Sequence, residues 1–114
     1  MKKTLSSASL AALSLAAGVM FVSAAQAMDA DAAKDLYRQE KCLTCHGLDK
    51  DKDAIAWKKV AEKYRGKADA KDHLFKHLTE GGKVKFADGH EEAHKIVKAD
   101  PEKIKNLVDF ILSL

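Results

Sequence analysis

Apolar side chains recur at helical spacing in four stretches of the chain. The strongest stretch follows Asp100, a favourable N-cap residue, and has Pro101 at its first helical position. Its apolar residues form one continuous stripe from Ile104 to Leu112. No stretch shows sustained alternation of apolar and polar residues, so the pattern predicts an all-α domain without a sheet. The other predicted helices span residues 31–40, 56–64 and 70–79.

The first 27 residues have the organisation of a secretory signal peptide. Lys2 and Lys3 precede an apolar stretch from Leu10 to Val22, and Ala25-Gln26-Ala27 forms an A-x-A cleavage site. The alternative is a membrane anchor, but the apolar stretch is shorter than the roughly 20 residues that a spanning helix needs. The sequence therefore predicts export to the periplasm, cleavage after Ala27, a mature domain of residues 28–114 and no stable membrane insertion.

Charge and length restrict the mature domain further. The full chain of 114 residues has 20 basic and 17 acidic side chains, and two of the lysines lie in the predicted signal peptide, which contains no acidic residue. The near-balance that remains is not typical of a nucleic-acid-binding protein. A domain this short has little apolar material for a core, which suggests that a further apolar group contributes to its interior.

The chemistry of the chain is concentrated in Cys42-Leu43-Thr44-Cys45-His46. This is C-x-x-C-H, the attachment signature of a c-type haem. Cysteines at i and i+3 lie on one face of a helical turn, so both sulfur atoms can form thioethers along one edge of a porphyrin while His46 binds the iron. A zinc site needs more ligands and a thioredoxin-like pair needs a βαβ context, whereas a Cys42–Cys45 disulfide is conceivable in an exported protein. The predicted cofactor is one covalently attached haem c with its iron.

Around this motif the chain resembles the small bacterial class I cytochromes c. The resemblance covers most of residues 29–114: a helix runs into the motif from Leu36, a short helix begins near Trp57, Gly81-Gly82 ends a third helix, and a C-terminal helix includes Leu107–Leu114. It implies a class I cytochrome c fold of about four helices packed around one haem. It also implies a single-electron carrier rather than an enzyme, which docks transiently with protein redox partners.

One departure from this family concerns the partner of the predicted iron ligand His46. The family usually has a Gly-Pro pair after the haem motif, and the proline carbonyl accepts a hydrogen bond from the second nitrogen of the histidine. Here Pro101 is the only proline, and the corresponding region reads Asp53-Ala54-Ile55-Ala56. We expect some carbonyl to orient His46, but the sequence does not identify it.

The larger departure concerns the sixth iron ligand, for which the family normally supplies a methionine before the last helix. Met1 and Met20 lie in the signal peptide and Met28 would be the new N-terminus. When the last helix is aligned on Asp100 and Phe110, the family's methionine falls on His94, which is the predicted metal ligand. His90, one helical turn earlier, is the alternative, and an iron that neither histidine binds is the third possibility. His73 and His77, on the third predicted helix, are interpreted as solvent-facing or boundary residues.

Two functions remain open at this stage besides a carrier with two histidine ligands. A displaceable sixth ligand would allow a haem protein that binds a gas or small anion, and the chain could also be a haem subunit of a larger oxidoreductase. The sequence does not determine the oligomeric state. Candidate residues for a docking rim are Lys41, Lys50, Lys52, Lys83 and Lys85.

Overall fold

The computed structural model describes residues 18–19 and 27–114, and the predicted signal peptide lies outside the described residues except at positions 18, 19 and 27. Within the described part, no helix is long and apolar enough to cross a membrane. The described residues form four helices and two short strands. In chain order these are α1 (Ala30–Gln39), α2 (Trp57–Tyr64), α3 (Ala70–Glu80), β1 (Lys83–Lys85), β2 (Glu91–Ala93) and α4 (Pro101–Ser113).

Helix α1 begins next to Asp29, whose backbone forms two hydrogen bonds with a side chain of α4. The Asp29 side chain accepts a hydrogen bond from the Ala32 N–H and so caps the helix. The Asp29 N–H donates to Asn106 Oδ1 at 2.8 Å, and Asn106 Nδ2 donates to the Asp29 carbonyl at 2.8 Å. These bonds attach the start of the domain to its last helix.

The core lies where α4 packs against the other three helices. Ile104, Leu107 and Val108, from the predicted stripe, are its most deeply buried large side chains. The Tyr37 ring lies between two aromatic neighbours, 5.4 Å from Trp57 and 5.8 Å from Phe110 between ring centroids. The helical architecture and the capping of α4 by Asp100 and Pro101 confirm the prediction from the apolar pattern.

The prediction that the domain lacks a sheet was wrong for one region. Strands β1 and β2 form an antiparallel hairpin, in which Lys83 lies opposite Ala93 and Lys85 lies opposite Glu91. The Phe86 N–H donates to the His90 carbonyl, and Gly89 has a positive φ of 92° in the intervening turn. Each strand has three mostly exposed residues, so neither buries a face that would require alternation.

The chain that follows the hairpin returns along the end of α3. The His94 N–H donates to the Gly82 carbonyl at 2.7 Å, and the Val97 N–H donates to the Leu78 carbonyl at 2.8 Å. Gly81 has a φ of 76°, and a Cβ atom there would lie 3.0 Å from the His94 carbonyl oxygen. The close approach of the two segments, which only glycine permits at this φ, holds the backbone of His94 against the end of α3.

Candidate haem-binding site

The C-x-x-C-H motif forms a compact turn directly after α1. Lys41 has a positive φ of 56°, and a 3₁₀ turn spans Cys42–Thr44. The Cys42 carbonyl accepts from the N–H groups of Cys45 and His46 at 3.3 and 3.0 Å. Both cysteines are partly exposed and are not joined in a disulfide. Burial raises the pKa of the Cys42 thiol, and the Glu40 carboxylate acts in the same direction.

The side chain of Lys52 fixes this turn from the following loop. Its Nζ atom donates to the Leu43 carbonyl at 2.8 Å. This lysine, a candidate for the docking rim, is exposed, and its ammonium group also contacts the backbone of the motif.

The orientation of His46 is set by a backbone carbonyl. His46 Nδ1 lies 2.8 Å from the Ile55 carbonyl oxygen. Because a carbonyl oxygen only accepts, Nδ1 carries the hydrogen and Nε2 keeps a free lone pair. The Ile55 carbonyl therefore accepts the hydrogen bond that the resemblance assigned to a proline carbonyl. Ile55 lies in the region where that proline is missing.

An acidic side chain holds the loop that presents this carbonyl. Asp51 accepts a hydrogen bond from the Ala56 N–H at 2.8 Å and pairs with Lys59 Nζ at 2.5 Å. The bond to Lys59 and that to the Ala56 N–H hold the pKa of Asp51 below its ordinary value. No sequence signal indicated a role for Asp51, because it lies in a run of alternating charges over residues 49–53.

His94 lies beside His46, with 6.1 Å between the ring centroids and 49° between the ring planes. His94 Nδ1 lies 2.8 Å from the Lys95 carbonyl oxygen, so its Nε2 also keeps a lone pair. A metal bound at about 2 Å from one nitrogen of each imidazole would separate the two centroids by roughly 6 Å. The two rings thus have the spacing that a metal between them requires.

His90, the alternative ligand, lies elsewhere. Its ring stacks on Phe86 near the hairpin turn, with 4.2 Å between centroids, and it contacts the carboxylates of Asp88 and Glu92. These contacts, that of Asp88 first, raise the pKa of His90. The structure therefore brings His94 to His46 and places His90 among acidic side chains at the surface.

The two histidines of α3 have different surroundings. His77 is half-buried, and its ring centroid lies 4.1 Å from that of His94. Burial, together with the charges of the neighbouring histidines, lowers the pKa of His77 to about 4, so it is neutral at pH 7. His73 is exposed and stacks on Tyr64 at 5.0 Å. His77 therefore lies against His94 at the border of the candidate site.

One lysine connects the two sides of the site. Lys95 Nζ donates to the Glu40 carbonyl at 2.8 Å and lies 3.2 Å from the Glu40 carboxylate. Lys95 follows His94, and Glu40 comes two residues before Cys42. Sequence reasoning missed this contact, because a lysine and a glutamate 55 residues apart carry no signal that they meet.

The donors at this site fit a haem better than a bare ion. Residues 18–19 and 27–114 contain no group of three or more His, Cys, Asp or Glu side chains arranged to hold a metal ion. A haem supplies four nitrogen ligands of its own and needs only axial donors from the protein. His46 and His94 are two imidazoles with free lone pairs, and Cys42 and Cys45 offer thiols at the spacing for attachment.

Comparison with known proteins agrees with this fit. The family model described as Cytochrome c matches residues 30–114. Cytochrome c-552 of Hydrogenobacter thermophilus is 31% identical over 83 residues, which are 73% of this chain and 82% of that protein. The crystal structure of the class 1 cytochrome MtoD from Sideroxydans lithotrophicus ES-1 is 63% identical with a TM-score of 0.75, and the match covers 76% of this chain and 97% of MtoD.

The structure of wild-type Nitrosomonas europaea cytochrome c552 is also similar, at 27% identity and a TM-score of 0.59 over 71% of this chain and 98% of that one. Fold, motif and relatives together define a small class I c-type cytochrome with one covalent haem c. The chain belongs to the cytochrome c family, whose members are electron-transfer proteins and not enzymes.

Proposed function

We propose that the mature protein, residues 28–114, is a periplasmic carrier of single electrons whose haem iron is held by His46 and His94. The observation that carries this proposal is the pairing of the two imidazoles. Their centroids are 6.1 Å apart, and each ring donates its Nδ1 hydrogen to a backbone carbonyl. Each Nε2 atom thereby keeps a lone pair that a metal can take, and the spacing of the rings allows one metal between them.

Each residue of the site has a separate task. Cys42 and Cys45 attach the haem through thioethers, and His46 is kept in one orientation by the Ile55 carbonyl. His94 is kept in place by the end of α3 through the Gly82 carbonyl. When bound, the haem supplies reversible one-electron chemistry at its iron. If both histidines hold the iron in either oxidation state, little of the protein has to rearrange on electron transfer.

The identity of the second ligand affects the reduction potential. A thioether ligand raises the potential of a c-type haem. We therefore expect two imidazoles to give a lower potential than a histidine–methionine relative has, and we place this carrier in a lower-potential chain.

The proposed periplasmic location and the cleavage after Ala27 rest on the predicted signal peptide. The described fold begins close to the predicted cleavage site, because Asp29 both caps α1 and bonds to Asn106. Cleavage after Ala27 would leave this connection intact. Mass spectrometry of the protein from a periplasmic fraction should give the mass of residues 28–114 plus one haem, and a mass that retains residues 1–27 would contradict the proposal.

The partners are proposed to be redox proteins that dock transiently. Exposed lysines near the motif and on the hairpin can accelerate association with an acidic partner. They are Lys41, Lys50, Lys83 and Lys85. We expect the association rate with such a partner to fall as salt screens these charges.

Absorption spectra test the proposed ligation. The purified ferric protein should be low-spin, and carbon monoxide added to the reduced protein should leave its spectrum unchanged over minutes. A high-spin ferric spectrum, or a rapid and complete shift with carbon monoxide, would instead support a haem protein that binds small ligands.

A further inference from the structure

We propose that the bridge between Lys95 and Glu40 keeps His94 at its position facing His46, and so controls how easily an outside ligand reaches the sixth coordination site. This proposal rests on the proposed ligation by His94. Lys95 acts in it as a positioning residue, since its own side chain does not contact His46 or His94 through any described hydrogen bond.

The bridge joins two parts of the chain that lie on opposite sides of the candidate site. Lys95 directly follows His94, and its Nζ atom donates to the Glu40 carbonyl at 2.8 Å. The same atom lies 3.2 Å from the Glu40 carboxylate. Glu40 is the last residue before Lys41 and the C-x-x-C-H turn. One ammonium group therefore connects the segment of the sixth ligand to the segment of the attachment motif.

Both the backbone and the side chain of Glu40 are held in place, which favours this contact. It caps the end of α1, and its N–H donates to the Leu36 carbonyl at 2.9 Å. Its side chain is only 17% exposed, whereas that of Lys95 is 61% exposed. A carboxylate that is largely shielded from water forms a stronger bond with a cation than an exposed one does.

The other bonds of the His94 segment run to a different element. The His94 N–H and the Val97 N–H donate to the carbonyls of Gly82 and Leu78, at the end of α3. Among the hydrogen bonds described for residues 27–114, that of Lys95 alone joins segment 94–99 to the side of the site that carries the C-x-x-C-H motif. Without this bond, the described hydrogen bonds would hold the His94 segment only to the end of α3, so its distance from the motif side could change.

The test measures how fast reduced holoprotein forms its carbon monoxide complex over hours. Carbon monoxide is neutral, so removal of a charge at position 95 does not in itself change its approach. Lys95→Met should form the complex about three- to tenfold faster than the wild type, while its resting spectrum stays low-spin. Lys95→Arg should restore the slow rate. Lys98→Met, which removes an exposed lysine from the same segment, should match the wild type.

A salt titration gives a second readout. Salt should accelerate complex formation in the wild type by screening the ion pair, and it should have little effect in Lys95→Met. The wild-type titration tests the bridge even if that variant folds poorly, and a rate that does not change with salt would contradict it.

The two proposals fail in different ways. A low-spin wild type whose rate equals that of Lys95→Met overturns the bridge alone. A high-spin wild-type ferric protein overturns the ligation by His94, and the bridge with it.

Discussion

His46 Nδ1 lies 2.8 Å from the carbonyl oxygen of Ile55, in a loop that contains no proline. This bond orients the histidine of the haem motif through a group that every residue possesses. What makes it possible is the shape of the loop, which Asp51 holds through the Ala56 N–H and Lys59. The orientation of a metal ligand thus depends on a carboxylate that does not touch it.

Replacement of Asp51 tests this dependence through pH. The bond from Lys59 and the bond from the Ala56 N–H hold the pKa of Asp51 below its ordinary value. Its contribution to stability is therefore present above that ordinary pKa and is lost as the pH falls through the lower value of the folded state. Thermal melts should show Asp51→Asn less stable than the wild type at neutral pH, with the difference shrinking in acid.

The control for this measurement is Asp53→Asn, in the same exposed loop. It should follow the wild type at every pH. A constant difference between Asp51→Asn and the wild type from neutral to strongly acidic pH would show that the charge of Asp51 is not responsible.

The two histidines near the last helix should respond differently to truncation. His94→Ala removes the imidazole that faces His46, and we expect the ferric protein to become high-spin and to bind added ligands rapidly. His90→Ala removes a ring that stacks on Phe86 at the hairpin turn and should leave the spectrum low-spin. The reverse result, with only His90→Ala high-spin, would assign the sixth ligand to His90.

Two glycines with similar positive φ values differ in what a side chain at their position would meet. Gly66 and Gly81 have φ values of 81° and 76°, but only at Gly81 would a Cβ atom meet a neighbour, the His94 carbonyl at 3.0 Å. Gly66→Ala should lower the free energy of unfolding by about 1 kcal/mol through strain alone. Gly81→Ala should lower it further and should also accelerate ligand binding at the iron.

Chemical denaturation and the rate of carbon monoxide binding should both be measured for the two glycine variants. If Gly81→Ala and Gly66→Ala lose equal stability and bind carbon monoxide at equal rates, the close approach of Gly81 does not position His94.

The connection between the ends of the domain can be measured directly. Asn106→Ala removes one donor and one acceptor to the backbone of Asp29. We expect the free energy of unfolding of the holoprotein to fall by about 1–3 kcal/mol in chemical denaturation. Lys103→Ala, an exposed change on the same helix, should alter it by less than about 0.5 kcal/mol. A loss in Asn106→Ala no larger than in this control would mean that the two hydrogen bonds to Asp29 add nothing to stability.

Several features could be predicted from the sequence because they depend on residues close together in the chain. The apolar stripe of α4, its cap at Asp100 and Pro101, and the stop of α3 before Gly81 all follow from local helix chemistry. The attachment motif is local as well, because its cysteines and histidine lie within five consecutive residues. The signal peptide stays a prediction, since all of it except positions 18, 19 and 27 lies outside the described residues.

Other features needed the tertiary structure because they join distant segments or use backbone groups. Ile55 bonds to His46 through a carbonyl, which no side chain identifies in advance. The hairpin depends on pairing between strands too short and too exposed to show a pattern. The sequence by itself determined the helices and the point of haem attachment, since these are encoded by neighbouring side chains. Only the folded chain decided which histidine faces His46 and which lysine spans the site, because those choices depend on how separate segments pack in space.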